Sequence, residues 1–118
     1  METELEHPFV QTELMMPILP LVRAKDVDTA IDMAVDVEHG NRHTAMMHSK
    51  NVDKLTRMAK LIQTTIFVKN GPSYAGIGVG GEGYTTFTIA GPTGEGLTSA
   101  KSFTRKRRCT LVGGFHIK

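Results

Sequence analysis

Apolar residues recur with the spacing of an α-helix in residues 27–35, where positions three and four apart carry valine, alanine and isoleucine. Asp26 stands directly before this stretch and suits the N-cap position, while Gly40 offers a stop signal. Asp28 adds a negative charge where the helix dipole is positive. The pattern therefore predicts a helix that begins after Asp26 and ends before Gly40.

A second helical pattern follows Ser49 and Asn51, either of which can serve as its N-cap. Its apolar positions form a single stripe, as expected of a helix that packs one side against a core. The stripe consists of Val52, Leu55, Met58, Ala59 and Ile62. We expect the charged side chains of Lys54, Arg57 and Lys60 to face solvent.

Three short apolar runs alternate with these helices and predict strands at residues 18–23, 43–48 and 65–69. Pro20 lies inside the first run and has no N–H for a sheet, so this strand should lie at an edge or begin irregularly. Alternating strands and helices with short connections predict an α/β fold with a parallel β-α-β-α-β core. A short helix at 97–105 and a strand at 109–112 would follow. Three strands leave two open edges that another part of the chain or another subunit must cover.

The segment 65–96 is rich in glycine. It contains nine glycines, at positions 71, 76, 78, 80, 81, 83, 91, 94 and 96. Tyr74, Ile77 and Phe87 are interleaved with them, which is not typical of a solvated Gly/Ser linker. Because each glycine costs conformational entropy on folding, this density indicates a backbone path that other residues could not follow. We expect a shaped loop that faces a substrate or another subunit.

Residues 76–81 within this loop match the GxGxxG spelling of the dinucleotide-binding motif. That motif needs a tight turn between a strand and a helix, whereas six residues separate Lys69 from Gly76. The residues that follow, 83–89, are β-branched and aromatic rather than helical in pattern. We therefore interpret the match as fortuitous.

The composition fits one globular domain of 118 residues, with 40% hydrophobic and 22% charged residues. The longest apolar run, residues 14–22, is interrupted by two prolines and is too short to cross a bilayer. The N-terminus is acidic, which argues against a secretory signal. Cys109 is the single cysteine, which excludes an internal disulfide and fits a reducing compartment, so we expect a cytoplasmic protein.

Charge is distributed unevenly between the two halves of the chain. Residues 1–60 carry ten acidic and seven basic side chains, and residues 61–118 carry two and seven, so their net charges are −3 and +5. The basic excess concentrates at Lys101 and residues 105–108, which would attract phosphate groups, nucleic acid or an acidic protein surface. No aromatic residue interleaves the basic run, which favours a solvated or subunit-facing strand edge over nucleic-acid binding.

Cys109 and three histidines are the remaining candidates for chemistry. Cys109 follows two arginines that could activate its thiol, but it begins the apolar run 109–112, where a buried and inert cysteine is typical, and we favour that interpretation. His39, His43 and His48 cross a helix end and a strand without a nearby cysteine or repeated carboxylate, so we predict no metal site. The residues by themselves predict an α/β module without a complete catalytic constellation.

Five segments resemble the CoA-acylating aldehyde dehydrogenases, and the resemblance extends over nearly the whole chain. They are residues 12–20 (TELMMPILP), 43–49 (HTAMMHS), 66–72 (IFVKNGP), 80–83 (GGEG) and 92–96 (PTGEG). The resemblance is closest to the members that oxidise propionaldehyde in propanediol-utilisation microcompartments, with the acetaldehyde enzymes of ethanolamine utilisation next. It covers only the C-terminal part of a family member.

The resemblance implies an oxidoreductase that converts propionaldehyde or acetaldehyde, CoA and NAD into acyl-CoA and NADH through a cysteine thioester. The nucleophilic cysteine and the dinucleotide-binding domain would lie upstream, so we expect no catalytic residue here and no activity from this segment alone. Glu13 corresponds to the glutamate that binds the nicotinamide-side ribose, although Met-Met-Pro replaces the usual Phe-Gly-Pro after it. Asn70, Pro72, Ser73 and Tyr74 correspond to a loop on the aldehyde and acyl-CoA side of the cleft.

By the same resemblance, residues 1–97 would form part of the catalytic domain, and residues 98–118 would form a final helix and a strand that joins an oligomerisation sheet. It implies a homo-oligomer, located in the cytoplasm or within a bacterial microcompartment beside other microcompartment enzymes, without membrane or nucleic-acid partners. The alternative is a non-catalytic interaction module that associates through its last strand. A third hypothesis is anion or nucleic-acid binding by residues 105–108.

Overall fold

The computed structural model describes residues 1–83, 98–110 and 112–113. Within these ranges the chain forms short helices and a two-stranded sheet. The elements are α1 (Pro8–Gln11), α2 (Val27–Val37), β1 (Thr44–Met47), α3 (Val52–Ile62), β2 (Ile66–Lys69) and two 3₁₀ helices, Ser73–Ile77 and Ala100–Phe103. No helix in the described ranges is both long and apolar enough to span a membrane.

Helix α2 begins where its sequence predicts. The carboxylate of Asp26 accepts a hydrogen bond from the backbone N–H of Thr29 at 2.7 Å. This bond stabilises the charged carboxylate and holds the pKa of Asp26 below its ordinary value of 3.8. The helix ends at Val37, and the backbone then enters the left-handed region at His39 and Gly40.

Asn51, rather than Ser49, is the N-cap of helix α3. The side chain of Asn51 accepts from the backbone N–H of Lys54 at 3.1 Å. The Ser49 hydroxyl supports this turn, since it accepts from the backbone N–H of Asn51 at 3.0 Å. The helix closes at Gln63, whose backbone is left-handed.

The apolar stripe of α3 is narrower than the sequence predicts. Leu55, Met58 and Ile62 are buried, whereas Val52 and Ala59 are exposed. Both exposed residues lie on the same helix but outside the contact with the core. The buried cluster that holds α3 to α2 consists of Met58, Ile62 and, from α2, Ile31.

Lys54 and Arg57 remain partly exposed at the surface, in line with the prediction, and each also pairs with a carboxylate of α2. Lys54 Nζ lies 2.6 Å from a carboxylate oxygen of Asp28, and Arg57 Nη2 lies 2.6 Å from Asp32 Oδ1. Both pairs link α3 to α2 across the surface. Because all four side chains are partly exposed, each pair contributes no more than about 1 kcal/mol.

The sheet is parallel, which confirms the predicted α/β fold class. β1 and β2 pair with Thr44 opposite Ile66 and Met47 opposite Lys69, and α3 connects the two strands. Ile66 and Val68 are 8% and 7% exposed and lie on the face of the sheet that the following loop covers at Gly76. The opposite face, with Ala45, Met47 and Phe67, packs against the buried cluster between α2 and α3. Both helices and the sheet therefore share one small core.

The strand predicted at residues 18–23 does not join this sheet, so the described sheet has two strands rather than three. Leu21 forms an isolated parallel bridge with Glu2, and its N–H donates to the carbonyl of Met1 at 2.7 Å. Pro20 has no N–H to donate, which limits pairing beyond this bridge.

The basic segment 98–110 also differs from the prediction. A 3₁₀ helix over Ala100–Phe103 replaces the longer helix expected at 97–105, whose first residue lies outside the described residues. Residues 109, 110 and 112 are not in a strand, and position 111 is not described. Cys109 is exposed, so the prediction that it is buried was wrong. A strand needs a partner strand, and none of the described residues pairs with this run.

Candidate functional site

The Gly-rich loop leaves the carboxyl end of β2, and its described part extends to Gly83. It first forms the 3₁₀ helix Ser73–Ile77, which closes at Gly78 with a left-handed backbone, φ 97°. The N–H of Val79 then donates to the carbonyl of Tyr74 at 3.0 Å. The loop therefore folds back on itself immediately after the strand. The predictions for residues 84–97 lie outside the described residues.

Gly76 lies where no side chain fits. A Cβ at this position would lie less than 3.0 Å from the Cγ2 atom of the buried Ile66. A Cβ at Gly83 would lie 2.5 Å from the carbonyl oxygen of Gly76, and the backbone there has φ 154°. The loop thus packs its backbone directly onto β2 and onto itself. This confirms the prediction of a shaped loop for the part that is described.

A cleft of about 430 Å³ lies between the end of β2 and this loop. Its lining residues come from β2 and from the loop that follows it. The lining includes Phe67, Val68, Lys69, Asn70, Gly71, Ala75, Gly76, Gly80, Gly81 and Glu82. Lys69 and Glu82 are both exposed and bring charges of opposite sign to the cleft. Ligands of parallel α/β sheets bind at the carboxyl ends of the strands, so this cleft is the candidate site.

Asn70 is held by the loop that follows β1. Its Oδ1 atom accepts from the backbone N–H of Ser49 at 2.7 Å, and its Nδ2 atom donates to the carbonyl of Ser49 at 2.9 Å. The backbone N–H of Asn70 donates to the carbonyl of Met47 at 3.0 Å. The Asn70 carboxamide is therefore engaged with the neighbouring loop.

The four predicted substrate-side residues lie in one loop, but they do not share one environment. Asn70 lines the cleft, whereas Pro72, Ser73 and Tyr74 are not among its lining residues. Pro72 precedes the 3₁₀ helix with φ −71°, and Tyr74 is 64% exposed. Of the four predicted substrate-side residues, only Asn70 therefore lies at the cleft.

Glu13, the predicted ribose ligand, lies in the irregular segment between α1 and α2. Its side chain is exposed and makes no hydrogen bond or ion pair with any residue in the described ranges. It does not line the cleft at the end of β2. Met15 beside it is 90% exposed, so this segment presents both a carboxylate and apolar surface.

The histidines make separate contacts. His39 Nε2 lies 3.0 Å from Gln11 Oε1, and His43 Nδ1 lies 2.6 Å from Thr44 Oγ1. Across residues 1–83, 98–110 and 112–113, no three metal-ligating side chains converge.

Sequence reasoning missed the contact between Asn70 and Ser49 and the placement of Lys69 and Glu82 at the cleft. One signal for the first existed. Asparagine directly before Gly-Pro at a strand end suits a left-handed backbone, and Asn70 has φ 54°.

Comparison with known proteins confirms the resemblance found in the sequence. No protein-family model matches the chain. The chain is 60% identical over 113 residues to the propanal dehydrogenase (CoA-propanoylating) of Salmonella typhimurium, a match that covers 96% of this chain and 24% of that protein. It is 60% identical over 116 residues to the acetaldehyde dehydrogenase (acetylating) of Escherichia coli, covering 98% and 25%. The chain therefore spans about a quarter of the length of the curated relatives it matches.

Solved structures agree with these relatives. The propionaldehyde dehydrogenase of Rhodopseudomonas palustris, solved with bound propionyl-CoA, is 77% identical with a TM-score of 0.83, over 93% of this chain and 24% of that chain. The same enzyme has also been solved with CoA and an acylated cysteine. The propionaldehyde dehydrogenase of the Clostridium phytofermentans fucose utilisation microcompartment is 64% identical with a TM-score of 0.82, over 93% and 25%.

A third structural neighbour is an engineered glycolyl-CoA reductase with bound NADP+, 77% identical with a TM-score of 0.83, over 93% of this chain and 25% of that chain. These neighbours bind a nicotinamide dinucleotide or CoA compounds, and they share the arrangement of helices and strands described above. In sequence and in fold, the chain is closely related, over nearly all of its length, to one quarter-length segment of the CoA-acylating aldehyde dehydrogenases.

Proposed function

We propose that this chain is the C-terminal segment of a CoA-acylating aldehyde dehydrogenase. The whole enzyme would convert propionaldehyde or acetaldehyde, CoA and NAD into acyl-CoA and NADH. The observation that carries this proposal is the similarity to the Rhodopseudomonas palustris enzyme, 77% identical with a TM-score of 0.83, which was solved with propionyl-CoA. The acylated cysteine in a second structure of that enzyme supports a cysteine thioester as the intermediate.

The segment would supply binding surface rather than the nucleophile. Its single cysteine, Cys109, is exposed in the basic segment and does not line the cleft at the end of β2. A thioester route needs a cysteine beside the aldehyde carbonyl, so the nucleophile would come from the remaining three quarters of the enzyme. The 118-residue chain alone would then form no acyl-enzyme and no NADH.

Glu13 and the loop after β2 would take different parts of the ligands. The exposed carboxylate of Glu13 can accept hydrogen bonds from ribose hydroxyls, which supports a role on the nicotinamide side of NAD. Asn70, Pro72, Ser73 and Tyr74 would form the aldehyde and acyl-CoA side. The cleft that Asn70 lines supports this placement, because it opens at the carboxyl end of the strand.

Residues 1–97 would belong to the catalytic domain and residues 98–118 to an oligomerisation element. Phe103 and Val112 support this division, since they are 79% and 93% exposed and offer apolar surface to a partner. The enzyme would be a homo-oligomer without membrane or nucleic-acid partners. It would act in the cytoplasm or within a bacterial microcompartment with other microcompartment enzymes. The origin of the Clostridium phytofermentans neighbour in a fucose utilisation microcompartment supports the second location.

A segment exchange tests this function. This chain replaces the corresponding segment of the Rhodopseudomonas palustris enzyme, and NADH and propionyl-CoA formation from propionaldehyde and CoA are measured. We expect the exchanged enzyme to form both products, because the two segments are 77% identical and have closely similar folds. The matched control carries alanine in place of the cysteine that becomes acylated, and it should fold without turnover. A folded exchanged enzyme that forms no propionyl-CoA, or NADH formation by the 118-residue chain alone, would contradict the proposal.

A non-catalytic interaction module is the second candidate, favoured by the exposed Phe103 and Val112. It predicts that the isolated chain associates with itself or with a full-length relative. Sedimentation that shows a monomer both alone and in the presence of the full-length relative would exclude it.

A further inference from the structure

The loops after β1 and β2 meet through one side chain. The backbone N–H and C=O of Ser49, in the turn between β1 and α3, have no backbone partner within the described residues. The Asn70 carboxamide satisfies both groups, with bonds of 2.7 and 2.9 Å. A carboxamide is suited to this because it presents a donor and an acceptor side by side. Asn70, in the loop after β2, therefore pairs with the loop after β1 in the way that a short segment of backbone would.

The backbone conformation at position 70 would be strained for most residue types. Its φ of 54° is in the left-handed region, where glycine has no steric cost and asparagine a modest one. A glycine would relieve the backbone but would leave both Ser49 groups without a partner. The two hydrogen bonds therefore give a physical reason for asparagine rather than glycine at position 70.

Asn70 is also one of two anchors of the cleft. The second anchor is Gly76, whose backbone packs against Ile66. The chain between them carries Gly71 and Ala75, which both line the cleft. The path of this short segment is set by its two ends, so a shift of Asn70 changes the cleft itself.

We propose that Asn70 is a positioning residue, whose carboxamide fastens the loop after β2 to Ser49 and thereby fixes the shape of the substrate-side cleft. This inference rests on the proposed function for the identity of the ligand, a CoA thioester or its aldehyde precursor. It assigns Asn70 an indirect role, whereas the resemblance placed this residue only near the substrate.

Three substitutions separate the side-chain bonds from the backbone conformation. Asn70→Gly keeps the left-handed backbone and removes both bonds. Asn70→Asp keeps the acceptor for the Ser49 N–H but places a second oxygen against the Ser49 carbonyl. Gln63→Gly is the matched control, because Gln63 also has a left-handed backbone, φ 49°, but caps the C-terminus of α3 and is not among the residues that line the cleft.

Amide hydrogen exchange measures directly whether Asn70 holds the loop to Ser49, and it can be recorded in the 118-residue chain and in the segment-exchanged enzyme. In Asn70→Gly we expect exchange of the Ser49 and Val79 amides to accelerate by about tenfold, since one net hydrogen bond corresponds to about that factor. The amide of Leu55 in α3 should change little, and Gln63→Gly should leave all three unchanged. Equal protection of Ser49 and Val79 in Asn70→Gly and the unaltered protein would overturn the inference.

Asn70→Asp adds a pH signature that a general loss of stability would not produce. A protonated carboxyl can donate to the Ser49 carbonyl, while a charged one cannot. We therefore expect loop protection, corrected for intrinsic exchange, to recover as the pH falls toward about 4, near the pKa of an aspartic acid. Protection that stays low across this range would contradict the pairing of the carboxamide with Ser49.

Kinetics of the exchanged enzyme complete the test. We expect Asn70→Gly to lower kcat/KM for propionaldehyde and CoA by about tenfold at a temperature where the enzyme is fully folded. Loss of loop protection with unchanged kcat and KM would overturn the positioning role and leave the proposed function intact. A segment-exchanged enzyme that is inactive with Asn70 in place would instead contradict the proposed function. The hydrogen-exchange data would still show whether Asn70 holds the loop after β2 to Ser49.

Discussion

Two parts of the chain contain similar apolar side chains in opposite surroundings: the unit from α2 through the loop after β2, and the basic segment 98–110 together with residues 112–113. In the first, Ile31 and Ile62 are 2% and 4% exposed. In the second, Phe103 and Val112 are 79% and 93% exposed. The first unit encodes both partners of each core contact within a short stretch of chain. The second has apolar residues without partners among the described residues, as expected if they pack against another part of a longer protein or another subunit.

This difference explains which local signals become structure. Helix α3 has an N-cap, an apolar stripe and a sheet on which to pack, so the helix predicted from its sequence pattern forms almost as expected. The run that begins at Cys109 has strand-like residues but no paired strand in the described part of the chain. Sequence pattern is therefore sufficient only where the complementary surface is also present.

The largest expected effect comes from removing a core side chain. Ile62→Ala should lower the free energy of unfolding by about 3 kcal/mol, because it removes buried surface and leaves a cavity beside Ile31. Its counterpart Phe103→Ala should stay within about 0.5 kcal/mol, since that ring is already exposed. Urea unfolding followed by circular dichroism measures both. Similar losses from the two substitutions would remove the distinction between the regions.

A smaller loss is expected at the contact between the Gly-rich loop and β2. Gly76→Ala should cost about 2 kcal/mol in the free energy of unfolding, since the added methyl group overlaps the buried Ile66 side chain. Gly71→Ala is the control, because its Cβ would lie 3.4 Å from Val68 Cγ1, an ordinary contact. Chemical denaturation compares the two. If Gly76→Ala is as stable as Gly71→Ala, the loop does not pack on β2 as described.

The cap of α3 should matter less than either contact. Asn51→Ala should lower the free energy of unfolding by about 1 kcal/mol, because it leaves the N–H of Lys54 without its acceptor. Asn51→Ser retains an acceptor of the right length and should recover most of that loss. Thermal unfolding of the pair provides the measurement. A full loss in Asn51→Ser as well would point to a cause other than the cap.

The smallest effect is a pH dependence at Asp26. The bond from Thr29 holds the folded-state pKa of Asp26 below 3.8, so its contribution to stability is complete above the unfolded-state pKa and is lost as the pH falls through the folded-state pKa. Asp26→Asn keeps a cap that does not titrate, and should therefore lose less stability than the unaltered protein below about pH 4. Urea midpoints measured from pH 6 to pH 2 test this. Parallel curves for the two proteins would contradict a role for Asp26 in the acid response.

Much of the α2 to β2 unit could be predicted because its signals are local. Asp26, Asn51 and the alternation of strand and helix lie within a few residues of the structure they determine. The choice between Ser49 and Asn51 as cap could not be made, since both side chains accept hydrogen bonds and only the backbone path separates them. The salt bridges of Lys54 and Arg57 depend on how α3 crosses α2, which no local pattern specifies.

The sequence predicted that the site lies in a shaped loop, but it did not predict which residues of that loop contact one another or line the cleft. Glycine density indicated a shaped path, and Gly76 on Ile66 gives it a physical cause. The contact of Asn70 with Ser49 joins residues 21 positions apart and depends on the register of the parallel strands. Exposure of Cys109 could not be foreseen for a related reason, since burial depends on partners that the local pattern does not contain.

Hydrogen exchange across the chain, alone and within the segment-exchanged Rhodopseudomonas palustris enzyme, tests most directly whether this is one working part of a CoA-acylating aldehyde dehydrogenase. We predict that the amides of α3 and β2 are protected in both proteins. Residues 98–110 should be unprotected in the isolated chain and protected in the active enzyme, where they gain a partner surface. If residues 98–110 stay unprotected in an assembled enzyme, or are equally protected in the isolated chain, they do not pack against a further surface of the whole enzyme. That result would contradict the proposal that this chain is one part of such an enzyme.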